Sequence, residues 1–324
     1  MEGNKNLLEV KNLKVVYDTQ DGRVEALNGV NLSLKKGQTL GLVGETGAGK
    51  TTLAKSIMRL IPNPPGKVLD GEILFNGQDL LKITEKDMRK IRGAEISMIF
   101  QDPMTSLNPV MTVGEQIEEV LRAHGKNVKE AVEGAGDMLE MVGIPRERAG
   151  EYPHQFSGGM KQRIIIAIAL ACNPTFLIAD EPTTALDVTI QYQVLVMMQK
   201  LKEQFNTSML MITHDLGIVA QFCDYVAIVY AGEVVEYGNL REVFKDPRHP
   251  YTIGLFGSIP RLSEDVERLT PIEGMPPDPT NLPKGCKFNP RCQYATDACR
   301  EWQCENYSVG GEHTVRCLRF KPES

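Results

Sequence analysis

Nine consecutive residues, Gly44-Glu45-Thr46-Gly47-Ala48-Gly49-Lys50-Thr51-Thr52, carry the spacing G-x-x-x-x-G-K-[ST] of a phosphate-binding loop. In such a loop backbone N–H groups wrap a β-phosphate, Lys50 reaches the β and γ oxygens, and the Thr51 hydroxyl holds Mg2+. Gly44, Gly47 and Gly49 lack Cβ atoms and let the backbone approach an anion closely. The run LAKSIMRL that follows predicts a helix whose positive N-terminal end lies under the same phosphate. Two carboxylates, Asp180 and Glu181, end the apolar run TFLIADEP. Asp180 is suited to bind Mg2+ directly or through water, and Glu181 to act as general base on an attacking water; alternation along a strand lets the two point in opposite directions. Gln101, after ISMIF, can contact both metal and water, and His214, at the end of SMLMITHD, can bond to a γ-phosphate. A phosphate cradle, a metal site, a base and a charge stabiliser are the parts that ATP hydrolysis requires.

The elements that must position these groups can be read from periodicity and turn chemistry. Residues 5–40 read as short strands with a polar turn, KKG, before TLGLVG, forming a small β-layer ahead of the loop. Tyr17, after the alternating run LKVV, can offer its ring to a purine base. GEILFNGQDL and ISMIF read as strands, and TVGEQIEEVLRAH and NVKEAVEGAGDMLEMVGI as helices, with apolar residues three and four apart. Ser157 is placed to cap the helix carrying KQRIIIAIALACN, which Pro174 stops. A strand, the helix VTIQYQVLVMMQKLKEQF, a further strand, a short helix, the hairpin YVAIVYAGEVVEYG and the helix NLREVF follow. Strands alternating with helices imply an α/β fold with a mainly parallel core sheet, whose ligands collect at the carboxyl ends of the strands. The expected organisation is one α/β domain over 1–246, with a helical insert over about 102–172, and a small Pro-rich, irregular domain over 247–324.

A chain of 324 residues with 42% hydrophobic and 24% charged residues is globular. Its formal charge of −6 argues against nucleic acid as a partner. The longest apolar run, Ile164 to Cys172, is too short to cross a bilayer, and MEGNKNLLEV lacks the regions of a signal peptide, so any membrane role is expected to run through a partner.

Tyr17, GETGAGKT, Gln101, SGG, FLIADE, ALD and THD, in this order and at these separations, resemble the nucleotide-binding subunit of ABC transporters over about residues 5–246. The resemblance implies a P-loop NTPase fold of ABC type with an antiparallel N-terminal β-subdomain. It also implies that two subunits sandwich two ATP molecules head to tail. Ser157, Gly158 and Gly159 of the signature segment would then serve the γ-phosphate held by the opposing subunit, and Asp187 would join the two sites. Phe156 and Met160 depart from the family's usual LSGGQ at its outer positions.

The tail segments HPYT at 249–252, PIEG at 271–274 and GCKFNPRC at 285–292, with Cys299 and an H-x-V-x-C run ending at Cys317, resemble the C-terminal extension of ATPase subunits in dipeptide and oligopeptide importers. Importers of nickel and other small solutes share it. The partners so implied are two membrane-spanning permease subunits, coupled through the helical insert near Gln101, and a second, paralogous ATPase subunit, with a homodimer as the alternative. An extracytoplasmic peptide-binding protein is an indirect partner, and the chain's place is the cytoplasmic face of the membrane. A soluble ABC ATPase of DNA repair or translation is the competing reading.

Cys172 and Cys223 read as small buried hydrophobes. For Cys286, Cys292, Cys299 and Cys317, reducing surroundings disfavour disulfides, and gaps of five, six and seventeen residues lack the close pairs of structural zinc. Four thiolates on an irregular loop suit an iron–sulfur cluster, and the family resemblance implies a [4Fe-4S] cluster. Cys304 is the spare thiol, with Trp302 beside it as a cover.

Overall fold

A computed structural model of the chain describes residues 6–102, 106–184, 186–258, 272–301 and 305–322. The expected roles of Trp302 and Cys304, and Pro271 of the PIEG segment, fall outside these residues.

The first strands are longer than the sequence suggests: β1 (Asn6–Thr19) and β2 (Gly22–Lys35) are 14 residues each. β3 (Thr39–Val43) runs into the phosphate loop and α1 (Lys50–Ile57) follows it. β4 (Gly66–Phe75) begins five residues before the predicted strand GEILF, and β5 is Gln78–Asp79. α2 (Glu85–Ile91) has no counterpart in the sequence reading, because its seven residues bury only Met88 and Ile91 and show little periodicity. β6 (Ile96–Ile99) comes next. α3 (Val113–Ala123) and α4 (Val128–Met141) start at capping boxes, Thr112 with Glu115 and Asn127 with Glu130, which satisfy orphan N–H groups reciprocally. α5 (Gly158–Leu170) starts at Ser157, as expected, and ends at Leu170, before Pro174 is reached. There follow β7 (Phe176–Asp180), α6 (Val188–Phe205), β8 (Ser208–Ile212), α7 (Leu216–Phe222), β9 (Tyr225–Tyr230), β10 (Glu233–Asn239), α8 (Leu240–Lys245) and α9 (Pro250–Gly257). The tail adds α10 (Asp297–Glu301), β11 (Tyr307–Gly310) and β12 (His313–Val315).

The chain forms two compact units. One gathers the described residues of Met1–Leu34, Leu40–Leu81 and Thr213–Ser324, so the cut drawn at 246 from composition does not coincide with a boundary between units. Within it β1, β2, β4 and β5 make a sheet in the order β2-β1-β4-β5, with β1 and β4 antiparallel from Leu8↔Phe75 to Tyr17↔Gly66. This is the antiparallel N-terminal layer that the family resemblance implies. The remaining strands of this unit lie in the order β11-β12-β10-β9-β3; β3 and β9 are parallel, and β9, β10, β12 and β11 are antiparallel in turn. The tail strands therefore extend a sheet that carries the phosphate loop.

A buried acid fastens that tail. Glu236 on β10, 1% exposed, accepts hydrogen bonds from the backbone N–H groups of Arg248 (2.7 Å) and His249 (2.8 Å) and lies 2.7 Å from Nε2 of His313 on β12. One carboxylate thus ties the entry of α9 and the last strand to the same point of β10.

The other unit comprises Lys35–Thr39 and Lys82–Ile212. Its strands lie in the order β8-β7-β6, all parallel and each fully buried, as continuous apolar runs predict for a doubly covered sheet. α3, α4 and α5 lie in the chain between β6 and β7.

Candidate functional site

In the first unit, the phosphate loop connects β3 to α1. Lys50, 8% exposed, donates through Nζ to the carbonyls of Gly44 (2.8 Å) and Glu45 (3.0 Å). The N-cap of α1 is Gly49, at φ +102°, and it supplies no side-chain acceptor to the first N–H groups of the helix, which is the arrangement that an anion completes. The glycines divide differently from the sequence reading. A Cβ on Gly44 would stand 2.1 Å from the carbonyl oxygen of Val229, and one on Gly49 would stand 2.5 Å from that of Ala26, so these two are required by the chain's own packing. Only Gly47, at φ +80°, has open space where its Cβ would be, and it alone of the three is left to serve close approach by a ligand. Thr51 and Thr52 lie half-buried in the first turn of α1, Ala48 is buried, and Thr46 is exposed. Tyr17 is half-buried on β1, where its ring covers the backbone of Gly66: a Cβ there would meet the ring at 2.8 Å. His214 is exposed, two residues beyond the end of β8.

In the second unit, the parallel register decides what meets. Ile99 pairs with Ala179, so Gln101 and Glu181 leave β6 and β7 at the same level. The Gln101 Nε2 group donates to Glu181 Oε2 at 3.1 Å, and Thr184 Oγ1 donates to the same oxygen at 2.9 Å. Asp180 is the last residue of β7 and is 2% exposed. The expectation that strand alternation separates the two carboxylates is corrected here: Glu181 has left the strand and sits at φ +48°, a left-handed conformation that a non-glycine residue adopts at a cost of roughly 1–3 kcal/mol. The turn, not the pleat, aims Glu181. Thr184 escaped the sequence reading because a threonine in a TTALD turn carries no distinguishing pattern.

The signature segment lies in this unit as well. Ser157 is exposed and accepts from Met160 N–H at 3.4 Å, while Gly158 is exposed and Gly159 half-buried. A Cβ on Gly159 would stand 2.6 Å from Cγ2 of Ile190, so this glycine lets α5 approach α6. Asp187 is the N-cap of α6 and accepts from Ile190 N–H at 3.0 Å; Ala185, beside it, is outside the described residues. The two unusual signature residues share one partner. The Arg148 guanidinium lies 4.2 Å from the ring centroid of Phe156 and 3.7 Å from Sδ of Met160, and it pairs with Glu151 at 2.6 Å, holding that carboxyl below the usual range. Arg148 had no signal in the sequence, since its role depends on packing against residues eight and twelve positions away.

In the tail, Cys286, Cys292, Cys299 and Cys317 all line one cavity of about 20 Å³, together with His249 and Phe288. None of the four is in a disulfide, and neither is Cys172, half-buried, or Cys223, buried. Burial pushes the Cys317 thiol up to about 11 and raises that of Cys292. Among the described residues no group of three or more His, Cys, Asp or Glu is arranged to hold a metal ion. The expected [4Fe-4S] cluster thus finds its four donors around one cavity, but not in a metal-holding arrangement.

No helix among the described residues is long and apolar enough to cross a membrane. Solved ATP-binding cassettes share this architecture. A dimeric cassette, MJ0796, in a post-hydrolysis state bound to ADP and Pi, is 30% identical with a TM-score of 0.65, covering 72% of this chain and 99% of that one. The protein cbiO1 of Clostridium perfringens, part of the ABC transporter complex cbiONQ, is 28% identical with a TM-score of 0.65, covering 77% of this chain and 95% of that one. The fold is therefore that of an ABC ATPase.

Residues 27–184 match the ABC transporter family, and residues 235–299 match the oligopeptide/dipeptide transporter C-terminal region. The chain is 53% identical to the oligopeptide transport ATP-binding protein OppD of Bacillus subtilis over 98% of its own length and 90% of that protein. It is 50% identical to the dipeptide transport ATP-binding protein DppD of the same organism, over 97% and 94%. This chain belongs to the ABC transporter family, among the ATP-binding subunits of its oligopeptide/dipeptide importers.

Proposed function

We propose that this chain hydrolyses ATP to drive import of dipeptides or oligopeptides through a membrane permease. The observation that carries the hydrolytic part is the Glu181 carboxylate, held by Gln101 and Thr184 at the mouth of a buried parallel sheet. The peptide part is supported by relatives named as oligopeptide and dipeptide transport proteins at about half identity.

Glu181 is assigned as the base, with Gln101 and Thr184 positioning it. Lys50 and His214 are assigned to γ-phosphate oxygens, and the loop from Gly44 through Thr52, which includes Glu45, Thr46, Gly47, Ala48 and Gly49, to the phosphate chain. Tyr17 is assigned to the base of the nucleotide. Thr51, Gln101 and Asp180 offer hydroxyl, amide and carboxylate oxygens, a donor set that fits Mg2+. That ion supplies charge neutralisation on the phosphoryl oxygens when bound. Ser157, Gly158 and Gly159, at an exposed capped helix N-terminus, and Asp187 are assigned to the nucleotide and interface of an opposing subunit. A solved relative being dimeric with ADP and Pi supports such a pair. Two permease subunits, a paralogous second ATPase subunit and, indirectly, an extracytoplasmic peptide-binding protein complete the assembly, on the cytoplasmic face of the membrane.

Uptake of labelled dipeptides tests this reading. Cells lacking the chain are expected to lose most uptake and to regain it with the wild-type chain but not with Glu181→Gln. Unimpaired peptide uptake with impaired nickel uptake would assign a different solute, and recovery of the chain with ribosomes or DNA instead of two multispanning proteins would sink the importer reading.

The finer reading of the tail is that the four thiols lining one cavity ligate a [4Fe-4S] cluster, which supplies thiolate-bound iron when present. Its support is the shared cavity and the soft donor set. Anaerobically purified protein is expected to contain about four iron and four acid-labile sulfides per chain. Stoichiometric zinc without sulfide would overturn it.

A further inference from the structure

Two tail residues hold the phosphate loop at Glu45, and the first is an arginine. Arg291, whose side chain is 6% exposed, uses every N–H it has. Nη1 donates to Glu45 Oε2 at 2.8 Å and to the Tyr230 hydroxyl at 3.3 Å; Nη2 donates to Glu45 Oε1 at 3.1 Å and to the Ile272 carbonyl at 3.5 Å; Nε donates to the Glu273 carbonyl at 3.0 Å. A second tail residue grips the same loop position through its backbone. The fully buried Tyr251 accepts the Glu45 backbone N–H through its hydroxyl at 3.0 Å. The Glu45 carbonyl in turn receives Lys50. Phe288 locks the ensemble, edge-on to Tyr230 with ring centroids 5.2 Å apart and 5.6 Å from Tyr251.

Glu45 poses a problem for a loop that receives a polyphosphate. A carboxylate two residues from Gly47 repels the incoming anion unless its charge is met and its direction fixed. A bidentate guanidinium does both, and it holds a planar carboxylate in one orientation where an ammonium would not. The hydroxyl of Tyr251 fixes the peptide on whose carbonyl Lys50 rests.

We propose that Arg291 and Tyr251 are positioning residues of the phosphate loop: they neutralise and orient Glu45, so that the nucleotide affinity of the cassette is set in part from the C-terminal tail. The same tail segment contributes Cys286 and Cys292 to the cysteine cavity, and Arg291 is the side chain through which order in that segment reaches the loop. The proposal rests on the reading that the Lys50 loop binds ATP.

The test is a double-mutant cycle on the purified full chain, titrated with fluorescent N-methylanthraniloyl-ATP and Mg2+. Arg291→Met is expected to raise Kd about tenfold in the wild-type background and less than about twofold in Glu45→Gln, because the charge to be neutralised is gone. In turnover, the loss is expected in KM and not in kcat. Arg291→Lys, which keeps the positive charge but loses the fork, is expected to raise Kd about threefold in the wild-type background and to have no effect in Glu45→Gln. Nucleotide-free melting temperatures separate folding from affinity, and if Arg291→Met does not fold, the Lys variant carries the test. An unchanged Kd, or an equal rise in both backgrounds, overturns the proposal. Failure of the wild-type chain to bind nucleotide, with Lys50→Ala indistinguishable from it, would instead overturn the nucleotide reading.

Discussion

Glu181→Gln is expected to lower ATP turnover at least about 100-fold, the lower end of what a positioned general base contributes. The substitution is close to isosteric, so Thr184 and Gln101 keep a partner of the same shape at the same place and the left-handed turn is undisturbed. Nucleotide affinity is therefore expected to stay within about threefold of wild type, and the loss to fall on kcat. Steady-state phosphate release beside nucleotide titration checks both halves. Retained turnover would remove Glu181 from the role of base, whereas a collapse of affinity together with turnover would make it a structural residue of the turn.

Stability is expected to depend most heavily on Glu236. Its carboxylate, on a residue 1% exposed, serves two backbone N–H groups and one imidazole nitrogen. Glu236→Ala leaves three buried polar groups without their acceptor at once, which costs about 3–5 kcal/mol by analogy with other broken buried polar pairs. For a chain of this size that lowers the melting temperature by about 4–7 °C. Glu236→Gln retains one acceptor oxygen and turns an N–H toward donors, so an intermediate fall is expected. Calorimetry on the three proteins decides: a shift under about 2 °C for the alanine variant would mean that water replaces the carboxylate without loss. Hydrogen exchange at the amides of Arg248 and His249 locates the effect, since these are the groups released.

The contiguous parts of the site were legible because their chemistry lies in consecutive residues. The Gly44–Thr52 loop needs its backbone donors in one run, and Ser157 caps the helix that begins at the next residue. Asp180 and Glu181 are legible for the same reason, but their geometry is not, since a positive φ at a glutamate leaves no trace in residue type. Contacts made only by folding were invisible. Arg291 and Glu45 are separated by 246 positions, and an arginine in an NPRC turn looks like any surface arginine until its burial is seen. The prolines that dominate the tail predict a separate irregular domain, whereas β11 and β12 are short strands whose identity comes from pairing, β12 with β10 and β11 with β12, and not from periodicity.

That pairing has a consequence for anyone recombining such subunits. The two family matches, residues 27–184 and 235–299, look like cassette and accessory, two parts to be cut apart and exchanged between relatives. The second match begins inside β10, one residue before the acid that fastens the tail, so a graft at this junction divides a strand from its own hairpin partner. A transplanted tail brings a new arginine to an old glutamate, or none. Chimeras of this family therefore need their seams chosen by hydrogen bonding across the sheet, with positions 45, 236 and 291 carried as one heritable set.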